Sequence, residues 1–123
     1  MNYPQRDEVW LVSLDPTQGS EIQKTRPGLV VSPNEANEYL RTVIIAPMTT
    51  TERPYPTRVS ITFQNKHGQV ALDQIRAVDR QRLVRKLGAT AAKTAEAVSS
   101  VLIEMFTRQV KSLKSPPARP RPG

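Results

Sequence analysis

Short apolar runs rich in β-branched residues, each closed by Pro, Gly or Asn, constrain this chain more than anything else in it. Glu8-Val9-Trp10-Leu11-Val12-Ser13-Leu14 predicts a first strand, stopped by Asp15-Pro16. Gly28 to Ser32 predicts a second, apolar strand in a central position. Pro33-Asn34-Glu35-Ala36-Asn37 reads as a turn or a short helical excursion, and Thr42-Val43-Ile44-Ile45-Ala46-Pro47 as a third strand suited to a pleated, buried surface. Arg58-Val59-Ser60-Ile61-Thr62-Phe63 alternates polar and apolar, the pattern of a half-exposed antiparallel strand, and Trp10 in the first strand is read as a core residue. Asn65-Lys66-His67-Gly68 predicts a turn. Gln69 to Leu72 and Ile75 to Val78 predict two more short strands, split by Asp73-Gln74. Short strands with brief loops and no helices between them imply a mainly β, small-barrel core.

The pattern changes after Gly88. Thr90 is placed as a helix N-cap, and the chain then runs to Phe106 without Gly or Pro. Ala91, Ala95, Val98, Leu102 and Met105 fall at helical spacing, so one apolar stripe should pack on the barrel. Residues 1–108 are therefore read as one domain. Residues 109–123 hold four prolines, at 116, 117, 120 and 122, with few apolar groups, and are expected to be a disordered basic tail.

Composition narrows the chemistry. The 123 residues include no cysteine, which removes disulfides, thiol nucleophiles and thiolate metal sites. Met1 to Glu8 has no apolar stretch of a secretory signal, and no apolar run approaches the roughly 20 residues that span a bilayer. A cytoplasmic location without membrane contact is expected. The net charge is +7, but Lys111, Lys114, Arg119 and Arg121 lie in the tail. Without them 14 basic residues face 11 acidic ones, a net +3. A mildly basic domain with a basic arm suits a polyanionic partner, although basic charge also serves solubility.

Only one histidine, His67, is present, and it falls in turn-like sequence, so paired-histidine catalysis is impossible. There is no phosphate-binding glycine loop, no dinucleotide fingerprint and no cluster of carboxylates for a hard cation. No cofactor or metal is expected. What remains is arginine, threonine, lysine and carboxylates. Gly19-Ser20-Glu21-Ile22-Gln23-Lys24-Thr25-Arg26-Pro27 gathers several of these groups in a polar loop before the second strand. Pro27 pushes Arg26 toward extended backbone, which would fix its guanidinium for phosphate in fork geometry. One reaction runs on this inventory without metal: cleavage of RNA by its own 2′-hydroxyl. The substrate carries the nucleophile, and the protein need only align it, move a proton and neutralise the phosphorane. Arg26 suits the last task and Thr49 a hydrogen bond to phosphate or 2′-oxygen. Glu21 either accepts the proton or orients Arg26.

The sequence also resembles the MazF/PemK-type toxins of type II toxin–antitoxin systems, the endoribonucleases called mRNA interferases. Glu8-Val9-Trp10-Leu11-Val12, Leu14-Asp15-Pro16-Thr17, Gly19-Ser20-Glu21, Thr25-Arg26-Pro27, Ala46-Pro47-Met48-Thr49 and Asp73-Gln74-Ile75-Arg76-Ala77-Val78-Asp79-Arg80-Gln81-Arg82-Leu83 carry the resemblance. It runs from about Arg6 to Arg108. It implies an SH3-like barrel in a homodimer, single-stranded RNA across the dimer face, and cleavage at a specific sequence to a 2′,3′-cyclic phosphate and a 5′-hydroxyl. It also implies silencing by a MazE-like antitoxin with an acidic tail. The family's catalytic arginine, threonine and loop glutamate fall on Arg26, Thr49 and Glu21. Segments 15–24 and 50–57 match those lining the RNA groove, which nominates Gln23, Lys24, Thr25, Thr50, Arg53 and Tyr55 as RNA contacts, with Asp73 and Gln74. Arg58 is read as a further phosphate contact or a solvated charge, and Arg80-Arg82-Arg85-Lys86 as a solvated face rather than a second nucleic-acid site.

Two departures stand out. The family opens with Arg-Gly before the acidic start of strand one, whereas this chain has Arg6-Asp7-Glu8. Some relatives place an arginine two positions before the aspartate of Asp-Gln, with that aspartate as base; here the position is Ala71, which leaves Asp73 without that partner and favours Arg26 and Thr49. A polar turn is the plainer role of Asp73-Gln74. The competing functions are a gyrase-poisoning toxin on the same fold and an inactive RNA-binding domain. The first does not need Thr25-Arg26-Pro27 or Pro47-Met48-Thr49, and this chain has both.

Overall fold

The computed structural model describes residues 2–15 and 24–108. Among the described residues the seven strands are β1 (Glu8–Asp15), β2 (Lys24–Val30), β3 (Thr42–Thr49), β4 (Arg58–Phe63), β5 (Lys66–Ala71), β6 (Arg76–Asp79) and β7 (Leu83–Ala89). A short helix α1 (Asn34–Tyr39) follows β2 and a longer one, α2 (Ala92–Phe106), ends the described chain. The strands form one antiparallel sheet in the order β4-β5-β3-β2-β1-β7, with β6 also on β3. The expected mainly β, SH3-like fold with a C-terminal helix is present, its sheet forming a half-barrel.

The sheet buries apolar residues on both faces, which is why its central strands are apolar without alternation. On one side Val9, Leu29, Ala46, Val59, Ile61, Val70 and Leu72 pack with Val98 of α2, and Val101, Leu102 and Met105 extend that contact. On the other, Val12, Leu14, Val30, Val43, Ile45 and Val78 form a second cluster with Trp10 and Leu83 at its border. Neighbours Leu29 and Val30 point into opposite clusters. The helical stripe is real at Val98, Leu102 and Met105, but Thr90 does not cap it. The helix is entered from Ala91 with no side-chain cap, and the Thr90 amide donates to the Asp7 carbonyl. Trp10 is half-buried rather than deep in the core, and its indole N–H donates to Glu8 Oε1 at 2.9 Å.

Three expectations move. The β4–β5 turn is Gln64-Asn65, both at positive φ (51° and 63°), so Lys66, His67 and Gly68 belong to β5. Leu83 to Ala89, where the sequence reading places only a solvated basic face, is a strand because it pairs with β1. Asp7 adopts φ 76°, the left-handed backbone that glycine takes most easily. The entry turn is therefore kept: the Asp7 amide donates to the Val30 carbonyl at 2.9 Å. Burial pushes the Asp7 carboxyl up despite neighbouring Arg6.

No helix among the described residues is long and apolar enough to cross a membrane.

Candidate active site

Arg26 and Thr49 come together because β2 and β3 are antiparallel. The ladder pairs Val30 with Ile45, Leu29 with Ala46 and Gly28 with Pro47. Carrying that register two residues further sets Arg26 opposite Thr49. The ladder stops at Gly28, and on its other edge β3 pairs Met48 and Thr49 with Val70 and Gln69 of β5. Two concavities open where the β2–β3 pairing ends, and Arg26 and Thr49 line both. Arg26 thus lies within β2, not in a loop before it, and its side chain is exposed.

Thr49 is held by its own turn. Its Oγ1 accepts the Thr51 amide at 3.0 Å, which leaves the hydroxyl proton available for an acceptor on a ligand. Gly68 sets the backbone beneath it. A Cβ at Gly68 would fall well inside van der Waals contact distance of the Thr49 carbonyl oxygen, so β5 can approach this closely only with glycine.

The first concavity, about 430 Å³, is polar and lined by Arg26, Thr49, Arg53, Tyr55, Asp73 and Gln74 among others. The second, about 450 Å³, lies toward β4 and β5, with Met48, Ile61, Phe63 and Leu87 as apolar floor and Thr50, Lys66 and His67 at its rim. Six of the expected site residues therefore share one cavity. Thr50 lines the other, and Lys24 and Thr25 are exposed on β2 beside Arg26. Glu21 and Gln23 lie outside the described residues, as does the tail from 109 to 123.

Two readings of the sequence change here. Asp73 does have an arginine, supplied by a neighbouring strand. Arg58 of β4 pairs directly across from Ala71 of β5, and its Nε lies 2.7 Å from Asp73 Oδ1 and its Nη2 3.3 Å from Oδ2. The Arg58 hydrogen bonds hold the Asp73 carboxyl below the usual carboxylate range, with smaller help from Thr57 Oγ1. Arg58 is then not a free phosphate contact, for its side chain is only 6% exposed. His67 is a strand residue. Its Nδ1 lies 3.1 Å from Thr62 Oγ1 and its Nε2 3.4 Å from Glu52 Oε2. Gln69 is a site residue that the sequence reading passed over, and only its strand register next to Thr49 could have revealed it.

Residues 5–106 match the family model described as PemK-like, MazF-like toxin of type II toxin–antitoxin systems. The chain belongs to the MazF-like endoribonuclease toxins. The Endoribonuclease MazF of Staphylococcus saprophyticus subsp. saprophyticus is 32% identical over 117 residues, covering 89% of this chain and 98% of that protein. An endoribonuclease from Mycobacterial species superposes with a TM-score of 0.70 at 28% identity, covering 85% of this chain and 91% of that one. A mycobacterial endoribonuclease in complex with its cognate antitoxin gives 0.70 at 27%, covering 82% and 92%. In this MazF-like chain Arg26 and Thr49 stand at the ends of neighbouring strands β2 and β3 and line the same cavities.

Proposed function

We propose that this MazF-like toxin cleaves single-stranded RNA at a specific short sequence, without a metal ion, by transesterification. In that reaction the 2′-oxygen bonds to the adjacent phosphorus and the bond from phosphorus to the 5′-oxygen breaks. The 2′-proton passes to a base and the departing 5′-oxygen takes up a proton, giving a 2′,3′-cyclic phosphate and a 5′-hydroxyl. Arg26 neutralises the charge that grows on the phosphorane, where a positioned cation acts most strongly. Thr49 donates its hydroxyl proton to a non-bridging oxygen. Glu21 is the base or the partner that orients Arg26. Lys24, Thr25, Gln23, Thr50, Arg53 and Gln74 contact the RNA strand, and Tyr55 contacts a base.

The observation that carries this reading is the meeting of Arg26 and Thr49 at the point where β2 and β3 part, with the Thr49 oxygen already held by the Thr51 amide. Residues 1–108 form the toxin domain, which works as a homodimer in the cytoplasm. The exposed apolar residues Leu40, Ile44 and Val84 are surface that a second copy would cover. A MazE-like antitoxin with an acidic tail silences it, in keeping with a groove rimmed by Arg26, Arg53 and Lys66.

The test is digestion of a long single-stranded RNA by purified protein in EDTA, beside the Arg26→Ala protein. Discrete cuts sharing a motif, ending in cyclic phosphate and absent from the variant, are expected. Intact RNA from folded, antitoxin-free protein would favour the gyrase-poison or binding-domain functions.

A further inference from the structure

The segment joining β3 to β4 is held from beneath by a network that the cleavage reaction does not itself require. Gln69 grips the Arg53 backbone twice: its Oε1 accepts the Arg53 amide at 3.0 Å and its Nε2 donates to the Arg53 carbonyl at 3.1 Å. A side-chain amide here does the work of a strand neighbour. Thr57 is fixed at both ends, with its carbonyl accepting the Leu72 amide at 3.1 Å and its hydroxyl donating to Asp73 Oδ1 at 3.1 Å. Arg58 joins these contacts. Its Nε and Nη2 go to Asp73, and its Nη1 lies 3.4 Å from Gln69 Oε1.

Tyr55 rests on this network. The Arg58 guanidinium carbon is 5.2 Å from the centre of the Tyr55 ring, and the Arg58 amide donates to the Tyr55 carbonyl at 3.1 Å. Pro54 and Pro56 restrict the backbone on either side. Yet Tyr55 is 48% exposed at the polar cavity beside Arg26 and Thr49. A cation seated against one part of an aromatic ring, with the rest open, is a platform whose orientation is set before anything binds. Fixing the ring in advance removes part of the ordering cost of binding.

We propose that Arg58, locked by Asp73, is a positioning residue that presents Tyr55 as a stacking platform for one unpaired base next to the scissile phosphate. Arg58 and Asp73 then act on binding of RNA, not on bond-making. This rests on the single-stranded RNA substrate proposed above and adds how one base is taken. Direct phosphate contact by Arg58 is disfavoured, because its donors are engaged and its side chain is sealed. Asp73 is poorly suited to be a base, because both its oxygens are tied to that guanidinium. Stacking uses a face that every base has, so the platform supplies affinity and leaves discrimination to the groups around it.

The experiment measures kcat and KM on a short RNA containing a mapped cut site for full-length Tyr55→Phe, Tyr55→Ala, Arg58→Lys, Arg58→Met, Asp73→Asn and the Tyr55→Ala/Arg58→Met double variant. In parallel, Kd for a fluorescein-labelled single-stranded RNA of mixed sequence is measured in the Arg26→Ala background. Tyr55→Ala is expected to raise KM and Kd about tenfold, the low end of losing one stacked base, with kcat within about twofold; Tyr55→Phe, which has the ring, recovers most of that loss in KM and Kd. Arg58→Met and Asp73→Asn raise KM about fivefold, and the double variant is no worse than Tyr55→Ala, because both changes remove one device. Unmoved KM and Kd in Tyr55→Ala would overturn the platform while leaving the nuclease reading intact. A hundredfold loss of kcat at unchanged KM in Asp73→Asn would make Asp73 a participant in chemistry and overturn the positioning role. If the parent protein cuts no RNA, the Kd series still decides: Tyr55-dependent binding supports the platform, and absence of binding ends it. If Arg58→Met does not fold, Arg58→Lys, which has the charge but not the fork, replaces it in the cycle.

Discussion

Two of the arginines that line one cavity of this protein, Arg26 and Arg58, differ in almost everything except residue type. Arg26, at the end of the β2–β3 pairing, has an exposed side chain beside a threonine whose hydroxyl proton is available. Arg58, one strand over from Thr49's β5 neighbour, has a side chain 6% exposed, with its donors on Asp73 and Gln69 and its guanidinium against Tyr55. The first arrangement is open to a ligand's charge; the second is satisfied by the protein itself. A charged residue's role follows from whether its own fold has already answered its charge.

The largest way to break this comparison is at Arg26. Arg26→Ala is expected to lower kcat on the order of a hundredfold to a thousandfold, the usual loss of one positioned charge-stabilising donor. Thermal unfolding should be unmoved, since an exposed side chain holds nothing else. Single-turnover cleavage beside a melting curve checks both.

Next comes the backbone under Thr49. Gly68→Ala forces a Cβ against the Thr49 carbonyl, so β3 must shift where the hydroxyl is aimed. A displacement of that kind costs tenfold to about a hundredfold in kcat, and overpacking costs about 1–3 kcal/mol in stability. A variant with reduced stability and unchanged kcat would separate Thr49 from the chemistry.

A smaller effect sharpens the other half of the site. The carboxyl of Asp73 is held below its ordinary range by Arg58. The pair therefore contributes above the unfolded pKa and is lost as pH falls through the lower, folded one. KM should stay flat through neutral and mildly acidic pH and rise only below about 4. A rise in KM near neutrality would mean that another group controls the Tyr55 platform.

The smallest effect lies at the entry to β1. Asp7→Gly relieves an L-residue at positive φ and removes a carboxyl that burial disfavours, at the cost of greater freedom in the unfolded chain. A gain of about 0.5–1 kcal/mol is expected in denaturant unfolding, with cleavage unchanged. A loss would show that the Asp7 side chain supports the turn.

Much of this was legible in the sequence, and what was missed has a physical cause. Leu29-Val30 and Ile45-Ala46 declared the central strands because both faces of the sheet are covered there. Arg26 and Thr49 were singled out by chemistry and resemblance together, and the fold brings them to one cavity. The hairpin was misread because Asn65 and Gly68 both look like turn residues, whereas Gly68 is there for a close backbone approach and Gln64 takes a left-handed φ. That two-residue error hides the register. With the turn at Gln64-Asn65, Phe63 faces Lys66 and Arg58 must face Ala71, which puts an arginine within reach of Asp73. β7 was hidden because Arg85 and Lys86 read as solvated charge, while its strand state comes from pairing with distant β1.

The most direct measurement is single-turnover cleavage of RNA at saturating protein, in EDTA, for the parent, Arg26→Ala and Arg58→Met. The account predicts a loss of at least about a hundredfold for Arg26→Ala and a rate within about threefold of the parent for Arg58→Met, since saturation hides a binding defect. Equal losses in the two variants, or parental cleavage by Arg26→Ala, would contradict it.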